Sequence, residues 1–102
     1  MKPQDVDRLI HEPARLVIMT ILSVVEQVDF LYLLNETGLT RGNLSTHLSR
    51  LEEGGYIQID KTYRGKTPAT LIRITPEGSA AYQAYKNHLH GIMQRTAKEG
   101  RL

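Results

Sequence analysis

The stretch from Thr40 to Tyr56 combines apolar and polar positions with the period of an α-helix. Its apolar residues recur at spacings of four and three positions, as Leu44, Leu48 and Leu51. Thr40 is a suitable cap, because its hydroxyl can accept a backbone N–H of the first turn. Gly54 and Gly55 are typical of a helix end, because glycine adopts the left-handed conformation at little cost. The pattern therefore predicts a short amphipathic helix with one apolar stripe.

The opposite face of this helix is polar and basic, with Arg41, Asn43, Thr46, His47 and Arg50. No acidic residue occurs in the helix before Glu52. Guanidinium, amide, hydroxyl and imidazole groups suit the base edges and phosphates of a DNA major groove. An ordinary amphipathic helix with a solvated outer face has the same periodicity, so this stretch alone leaves both interpretations open.

Residues 16–25 are strongly apolar, with eight apolar residues among ten. The length of this run favours a helix over the alternative of a central strand, and Pro13 suits the first helical position. A helix that is apolar on most sides must be buried on most sides, so we expect one side to pack on the core and another on a second subunit. Ahead of it, residues 3–10 are expected to form a short opening helix, with an apolar face of Val6, Leu9 and Ile10.

A second short helix is predicted from Phe30 to the neighbourhood of Gly38, after a break in the pattern. Asp29 can cap its start, and Gly38 is typical of its end. Only two residues then separate it from the capped helix at Thr40. Two helices joined by a short turn that contains glycine form a helix-turn-helix, here about 29–55, in which the second helix reads the DNA groove.

After the paired glycines the period changes to two, which predicts a β-hairpin over about 56–75. Gly65 permits a tight bend, and Pro68 is expected to end the strand pairing. The tip carries Arg64 and Lys66 and no acid, which suits a phosphate backbone or a minor groove. The alternative is edge protection, since charge and proline also keep exposed strands from pairing with other chains.

A final helix is predicted over about 76–96. Thr75 can cap it, Pro76 suits its first position, and Glu77 complements the helix dipole. Its apolar residues repeat at spacings of three and four and are Ala81, Tyr82, Tyr85, Leu89, Ile92 and Met93. This long stripe is expected to pack on the same helix of a second copy, and residues from Thr96 onward are expected to fray.

The charge is distributed unevenly along a chain of 102 residues, which is the size of one domain. Residues 1–40 hold three basic and six acidic side chains, whereas residues 41–73 hold six basic and three acidic ones. Residues 74–102 hold four basic and two acidic side chains. The basic middle segment, which contains the predicted helix and hairpin, indicates a polyanionic partner.

Several classes of protein are disfavoured by what the chain lacks. It has no cysteine, which excludes disulfides and thiolate metal sites and agrees with a cytoplasmic protein. No apolar run approaches the roughly 20 residues that span a membrane. His88 and His90 are two positions apart on a helix and point to different sides, so we expect no metal site. We expect no cofactor, and no enzyme, because neither a nucleophile elbow nor a phosphate-binding glycine loop is present.

Six short motifs follow one another along nearly the whole chain. They are HEPARL at 11–16, GLT at 38–40, GNLSTHL at 42–48, LEEGGY at 51–56, YRGKTPAT at 63–70 and TPEG at 75–78. In their order and spacing the chain resembles small winged-helix transcriptional regulators of the MarR/ArsR type from archaea and bacteria. The resemblance implies a mostly helical α+β fold, a winged helix-turn-helix with a two-stranded hairpin wing and a C-terminal dimerisation helix. It also implies a homodimer whose reading helices enter successive major grooves of a pseudo-palindromic operator, with the wing on the backbone or in the minor groove.

Residue types and resemblance together predict a sequence-specific transcriptional regulator that binds double-stranded DNA. The expected DNA contacts are Thr40, Arg41, Asn43, Ser45, Thr46, His47, Arg50, Lys61, Arg64, Gly65 and Lys66. The expected dimer interface consists of Leu9, Leu16, Ile21, Ala81, Tyr82, Tyr85, Leu89 and Ile92. The alternative function is a winged-helix module that binds another protein and no DNA. A small-molecule effector in a crevice between the terminal helices is compatible with the first function, but no residue specifies one.

Overall fold

The computed structural model describes residue 2 and residues 5–99, except for the side chains of residues 98 and 99. In chain order these residues form α1 (Pro13–Leu22), β1 (Val28–Asp29), α2 (Phe30–Thr37), α3 (Arg41–Glu53), β2 (Ile57–Arg64), β3 (Thr67–Ile74) and α4 (Pro76–Glu99). α2 and α3 form the helix-turn-helix, and the β2–β3 hairpin is the wing. The predicted fold class, a mostly helical α+β winged helix-turn-helix, is confirmed.

The turn between α2 and α3 is fixed by the capping residues that the sequence predicts. Asp29 accepts the N–H of Tyr32 at 2.7 Å at the start of α2. Gly38 ends that helix in the left-handed conformation, with a φ of 67°. Thr40 accepts the N–H of Asn43 at 3.1 Å at the start of α3. These contacts satisfy backbone groups that a helix end leaves without partners.

The apolar run forms helix α1, so the alternative of a central strand is wrong. α1 ends at Leu22, although the apolar run continues to Val25. Ile18 and Met19 are fully buried, whereas Val17 is 46% exposed. The described residues therefore cover one side of α1 and leave apolar surface exposed on the other side.

The segment ahead of α1 is a series of turns, so the expected opening helix is wrong over its described part. The carboxylate of Asp7 accepts the backbone N–H groups of Leu9 at 2.9 Å and Ile10 at 3.2 Å. An aspartate that binds the backbone two and three residues ahead favours a turn over a continuing helix. Pro3 and Gln4, which the prediction included, lie outside the described residues.

The described strands form an antiparallel sheet in the order β1-β3-β2. β1 contains only Val28 and Asp29, which pair with Ile72 and Leu71 of β3. The sequence predicted only a break at this place, because two residues are too few to show a period of two. The short strand nevertheless joins the start of α2 to the base of the wing.

The wing is a tighter hairpin than the sequence predicted. Only Gly65 and Lys66 connect its strands, and Gly65 has a φ of 62°, which a two-residue hairpin turn requires at its first position. Pro68 was expected to end the pairing, but it lies within β3 opposite Tyr63. In a hairpin of this kind the second residue pair from the turn exchanges no hydrogen bonds, so proline removes none there.

α4 packs on the core through two tyrosines. Tyr82 and Tyr85 are only 8% and 2% exposed within the single chain. The hydroxyl of Tyr82 forms a hydrogen bond with that of Thr20 at 2.8 Å, and the hydroxyl of Tyr85 forms one with Nδ1 of His11 at 2.8 Å. Both tyrosines therefore leave little surface for the predicted dimer interface. Helical spacing identified the apolar stripe but not the surface that covers it.

The start of α4 is bonded directly to the chain between α3 and β2. Thr75 donates its N–H to the carbonyl of Tyr56 at 3.0 Å and its hydroxyl to the carbonyl of Gly55 at 2.6 Å. Gly78 lies so close to Tyr56 that an added Cβ would overlap the backbone carbonyl. The end of α3, the start of the wing and the start of α4 therefore meet at one point.

α4 is 24 residues long and continues to Glu99, beyond the predicted end at Thr96. Among its described residues, Leu89 is the last that packs on the core cluster. The chain is accordingly elongated, with extents of 63 × 26 × 21 Å. Across residue 2 and residues 5–99, no helix is both long enough and apolar enough to cross a membrane. Residues 100–102 of the expected frayed tail lie outside the described residues.

Candidate nucleic-acid interface

The outer face of α3 is open to solvent. Its three stripe leucines are buried, with at most 2% of each exposed. The opposite side of the helix carries the exposed residues Arg41, Asn43, Ser45, Thr46, Ser49 and Arg50. Ser49 was not among the predicted contacts, although it follows Ser45 by four residues and so lies on the same face.

Arg41 is the first residue of α3, and its side chain faces the wing. Its guanidinium carbon is 5.9 Å from the centre of the Phe30 ring, a cation–π arrangement that orients the side chain. A groove of about 400 Å³ begins here, and its polar lining includes Arg41, Ser45, Ser49 and Lys61. Lys61 belongs to β2, so residues of α3 and of the wing face the same space.

Two further depressions adjoin this groove, and each shares lining residues with it. One, of about 320 Å³, shares Arg41 with the groove and reaches Arg64 of the wing. The other shares Ser45 with the groove and reaches Arg50. The exposed α3 residues Arg41, Ser45, Thr46, Ser49 and Arg50 therefore lie on one continuous surface with Lys61 and Arg64, and Glu53 also lines it. We call this surface the basic face.

Arg64 of the wing has an acidic partner that the sequence did not predict. Nη1 of Arg64 lies 3.2 Å from Oδ2 of Asp29, the residue that also caps α2. The Arg64 side chain is 65% exposed, so the ion pair is screened by solvent and leaves the guanidinium accessible to a phosphate. Gly65 and Lys66 form the exposed turn itself.

Among the described residues, most cations of the basic middle segment form no salt bridge. Arg64 pairs with Asp29, and Arg73 lies 3.9 Å from Asp60. Within the part of the chain that the structure describes, the remaining cations of this segment take part in no salt bridge, and they are Arg41, Arg50, Lys61 and Lys66. Their charge is therefore available to an external anion.

His47 points away from the basic face and contacts α1. Its Nδ1 lies 3.3 Å from Oε2 of Glu12 and 3.1 Å from Nη1 of Arg15, and its side chain is 21% exposed. Burial alone would raise the pKa of the Glu12 carboxyl. The N–H groups of Ala14 and Arg15 and the charges of His47 and Arg15 together outweigh burial and lower that pKa below its ordinary value. These contacts do not fit the predicted role of His47 in DNA contact.

Thr40, a predicted DNA contact, and the residues of the predicted dimer interface lie in different environments. The Thr40 hydroxyl accepts a backbone N–H as the cap of α3. Leu9 packs against Gly54 at the other end of that helix. The half-buried members of the predicted dimer interface are Leu16, Ile21, Ala81, Leu89 and Ile92. Val17 and Met93, beside them in sequence on α1 and α4, are 46% and 64% exposed.

Known proteins are similar to this chain in sequence and in fold. The sequence model of the winged helix DNA-binding domain family matches residues 14–93. An uncharacterised protein of Methanocaldococcus jannaschii is 33% identical over 87 residues, which are 85% of this chain and 91% of that protein. The structure of a transcriptional regulator homologue from Pyrococcus horikoshii OT3 has a TM-score of 0.82 at 26% identity, over 86% of this chain and 87% of that one. A MarR-family transcriptional regulator from Enterococcus faecalis V583 shares the fold, with a TM-score of 0.76 at 24% identity over 92% of this chain and 84% of that one.

The matched residues 14–93 include the helix-turn-helix, the wing and most of α4. The basic face thus lies on the two elements that give this family its description. The chain belongs to the winged helix DNA-binding domain family and is a winged-helix transcriptional regulator.

Proposed function

We propose that the protein binds double-stranded DNA in a sequence-specific manner as a homodimer. In each copy, α3 enters the major groove and the wing contacts the neighbouring backbone or minor groove. The basic face is the observation that supports this proposal, because it joins cations of α3 and of the wing on one surface. A helix in the major groove and a hairpin beside it can contact the same duplex only from such a shared surface.

Base contacts are assigned to the exposed middle of α3. Asn43 can form two hydrogen bonds with adenine, and Arg50 can form two with guanine. The Thr46 hydroxyl donates to the carbonyl of Gly42 at 3.0 Å, so its oxygen can still accept a hydrogen bond and its methyl group can contact thymine. These three residues would carry the sequence preference.

Phosphate contacts are assigned to the groove between α3 and the wing and to the wing tip. Arg41 and Lys61 line the same groove, and Arg64 and Lys66 flank Gly65 at the tip. Ser45 lies between the groove and the middle of α3 and can donate its hydroxyl to a phosphate. Such contacts position the protein on the duplex and provide affinity for any sequence.

The homodimer is assigned to α1 and α4. The outward side of α1 and the distal part of α4 carry half-buried and exposed apolar residues, which the described part of the chain does not cover fully. A two-fold pairing of these surfaces would present two copies of α3 to one side of a duplex. Half-sites about 34–36 Å apart would then match successive major grooves.

Mobility-shift titration with a duplex of arbitrary sequence at two salt concentrations tests DNA binding. We expect affinity to fall steeply as salt rises, because phosphate contacts release counterions. The double variant Arg64→Ala/Lys66→Ala should bind every sequence more weakly and flatten the salt slope by about one unit for each lost phosphate contact. Arg73→Ala is the matched control, because Arg73 lies in the same hairpin but does not line the three depressions that form the basic face.

Two results would contradict parts of this proposal. Binding that is absent or insensitive to salt would favour the alternative, a winged-helix module that binds a protein partner. An unchanged affinity and salt slope in the double variant, with normal binding by the wild type, would show that the wing does not contact DNA.

A further inference from the structure

Residues 9–15 contact three helices, and we call them the junction. They contain most of the HEPARL motif, which the DNA contacts leave unexplained. We propose that the junction fixes the orientation of α3 relative to α1 and α4, and thereby sets the distance between the two reading helices of the dimer. This inference rests on the proposed function, since it concerns how two copies present α3 to one duplex.

Glu12 joins the start of α1 to the middle of α3. Its Oε1 accepts the N–H of Ala14 at 2.9 Å, and its Oε2 accepts the N–H of Arg15 at 3.1 Å. The same Oε2 lies 3.3 Å from Nδ1 of His47 on α3. The two backbone bonds prevent the carboxylate from turning away, so its position relative to α1 is transmitted to His47.

Arg15 makes the second connection between these helices. Its Nε donates to the carbonyl of Leu9 at 2.6 Å, and its Nη1 lies 3.1 Å from Nδ1 of His47. Nδ1 accepts from this guanidinium in the tautomer that places the ring proton on Nε2, and it donates to Glu12 when it carries the proton itself, so His47 bonds to one of these two residues at a time. A guanidinium holds its donors in a rigid plane, so these two contacts fix the side chain in one orientation. The Arg15 side chain is only 14% exposed, which distinguishes it from the solvated arginines of the basic face.

His11 connects the junction to α4. Its Nδ1 forms a hydrogen bond with the hydroxyl of Tyr85 at 2.8 Å, and the two rings are 5.8 Å apart at their centres. Tyr85 is 2% exposed, so this contact lies against the core. The junction therefore bonds to the reading helix on one side and to the two helices assigned to the dimer on the other.

A small error of orientation would have a large effect on DNA recognition. Half-sites about 34 Å apart place each reading helix roughly 17 Å from the two-fold axis. At that distance a rotation of about 10° displaces the helix by roughly 3 Å, which is close to the rise of one base pair, about 3.4 Å. Loosening the junction should therefore blur the preferred spacing of the half-sites while leaving the base contacts within each half-site unchanged.

Selection of bound duplexes from a random pool tests this inference with the full chain. Wild-type protein should select two inverted half-sites at one spacing. His47→Leu, which removes both connections to α3 and keeps the caps of α1, should select the same half-sites at two or more spacings. Its affinity for the wild-type site should fall about tenfold. Its affinity for an unrelated duplex should stay within roughly twofold, because the phosphate contacts are intact.

Arg15→Lys provides a second variant that keeps the charge but cannot contact Leu9 and His47 from one rigid plane. It should also broaden the spacing, whereas Arg8→Lys, an exposed position in the same segment, should not. A single retained spacing in both test variants would overturn the inference. A lost preference at one base pair, with spacing retained, would overturn it in favour of base contact by His47. A wild-type pool without paired half-sites would overturn the proposed function, and the inference with it.

Discussion

At the scale of single residues, two glycines of α4 have opposite surroundings. A Cβ at Gly78 would overlap the backbone of Tyr56, whereas a Cβ at Gly91 would meet nothing within 4 Å. We expect Gly78→Ala to lower the free energy of unfolding by at least about 1–3 kcal/mol, because backbone atoms cannot move aside as a flexible side chain can. Gly91→Ala should raise it by up to about 1 kcal/mol, because alanine is the better helix former. Equal urea midpoints for the two variants would contradict the close approach.

The phenol of Tyr56 makes the stability of the fold sensitive to alkaline pH. Tyr56 donates its hydroxyl to Oδ2 of Asp7 at 2.5 Å. Burial, followed by the hydrogen bond and charge of Asp7, raises the pKa of Tyr56 from 10.0 to about 12. The folded chain therefore keeps a proton that the unfolded chain loses above about pH 10. The contribution of Tyr56 to stability is complete below pH 10 and is lost as the pH rises towards 12.

We expect Tyr56→Phe to lower the free energy of unfolding by about 1–2 kcal/mol near neutral pH. The difference from wild type should shrink between pH 10 and 12, as measured by urea unfolding at a series of pH values. Tyr63→Phe is the control, because Tyr63 is 70% exposed and should change stability little at any pH. A difference that stays constant up to pH 12 would contradict the assignment.

The sequence predicted the structural role of a residue well where that role depends on its neighbours in the chain. The caps Asp29 and Thr40 and the left-handed Gly38 were identified, because a cap depends on a few neighbouring residues. The partner of His47 was not identified, because Glu12 is 35 positions away and nothing in helical spacing indicates which side chain lies opposite. The same limit applies to Gly78, whose requirement arises from a distant backbone carbonyl.

At the scale of elements, Asp29 serves two of them at once. It caps α2 and pairs with Arg64 of the wing. We expect Asp29→Asn to keep the cap, because asparagine caps as well as aspartate does, while it frees Arg64 for phosphate. DNA affinity at low salt should rise, and the salt slope should steepen by up to about one unit.

Asp29→Ala separates the two effects. It should change DNA binding in the same direction and also lower the free energy of unfolding by about 0.5–2 kcal/mol, because the cap is lost. Mobility-shift and urea titrations of both variants measure this. Weaker DNA binding by Asp29→Asn would show instead that the ion pair holds Arg64 in its binding position.

The predictions of secondary structure were wrong where an element is short or where its limits depend on strand pairing. α2, α3, the wing and α4 were recognised from their periods. β1 was missed because it has two residues, and the position of Pro68 was misjudged because its tolerance depends on which side of β3 faces β2. The turns at Asp7 replaced an expected helix because one carboxylate competes for its backbone N–H groups.

At the scale of the whole molecule, the proposed homodimer depends on apolar surface that the described residues leave uncovered. We expect Val17→Glu to leave the fold intact and to dissociate the proposed dimer, because a carboxylate would be buried in the proposed interface without a partner. Sedimentation or light scattering would show the mass of a single chain. The apparent melting temperature should fall and lose its dependence on protein concentration. Tyr63→Ser, on the exposed wing, should leave the mass unchanged, and an unchanged mass for Val17→Glu would exclude α1 from the interface.

The sequence could indicate that two helices have excess apolar surface, but not how that surface is divided. Tyr82 and Tyr85 belong to the stripe of α4 and yet pack inside the chain, whereas Met93 further along remains exposed. The division depends on where α4 leaves the core, and that point is set by the crossing of α4 over the start of β2. The sequence likewise indicated an excess of basic charge but not which cations are paired. Arg64 and Arg73 form salt bridges with Asp29 and Asp60, which composition alone could not predict.

The elongated outline of the chain has a consequence for its dynamics. The radius of gyration is 15.9 Å, whereas a compact chain of this length has about 13 Å. The last turns of α4 extend past the core, so in a solitary copy only their own hydrogen bonds would resist opening. Deuterium uptake there should therefore accelerate as the solution is diluted, while uptake in α3 stays constant. The far end of one helix would then report, amide by amide, whether a second copy is present.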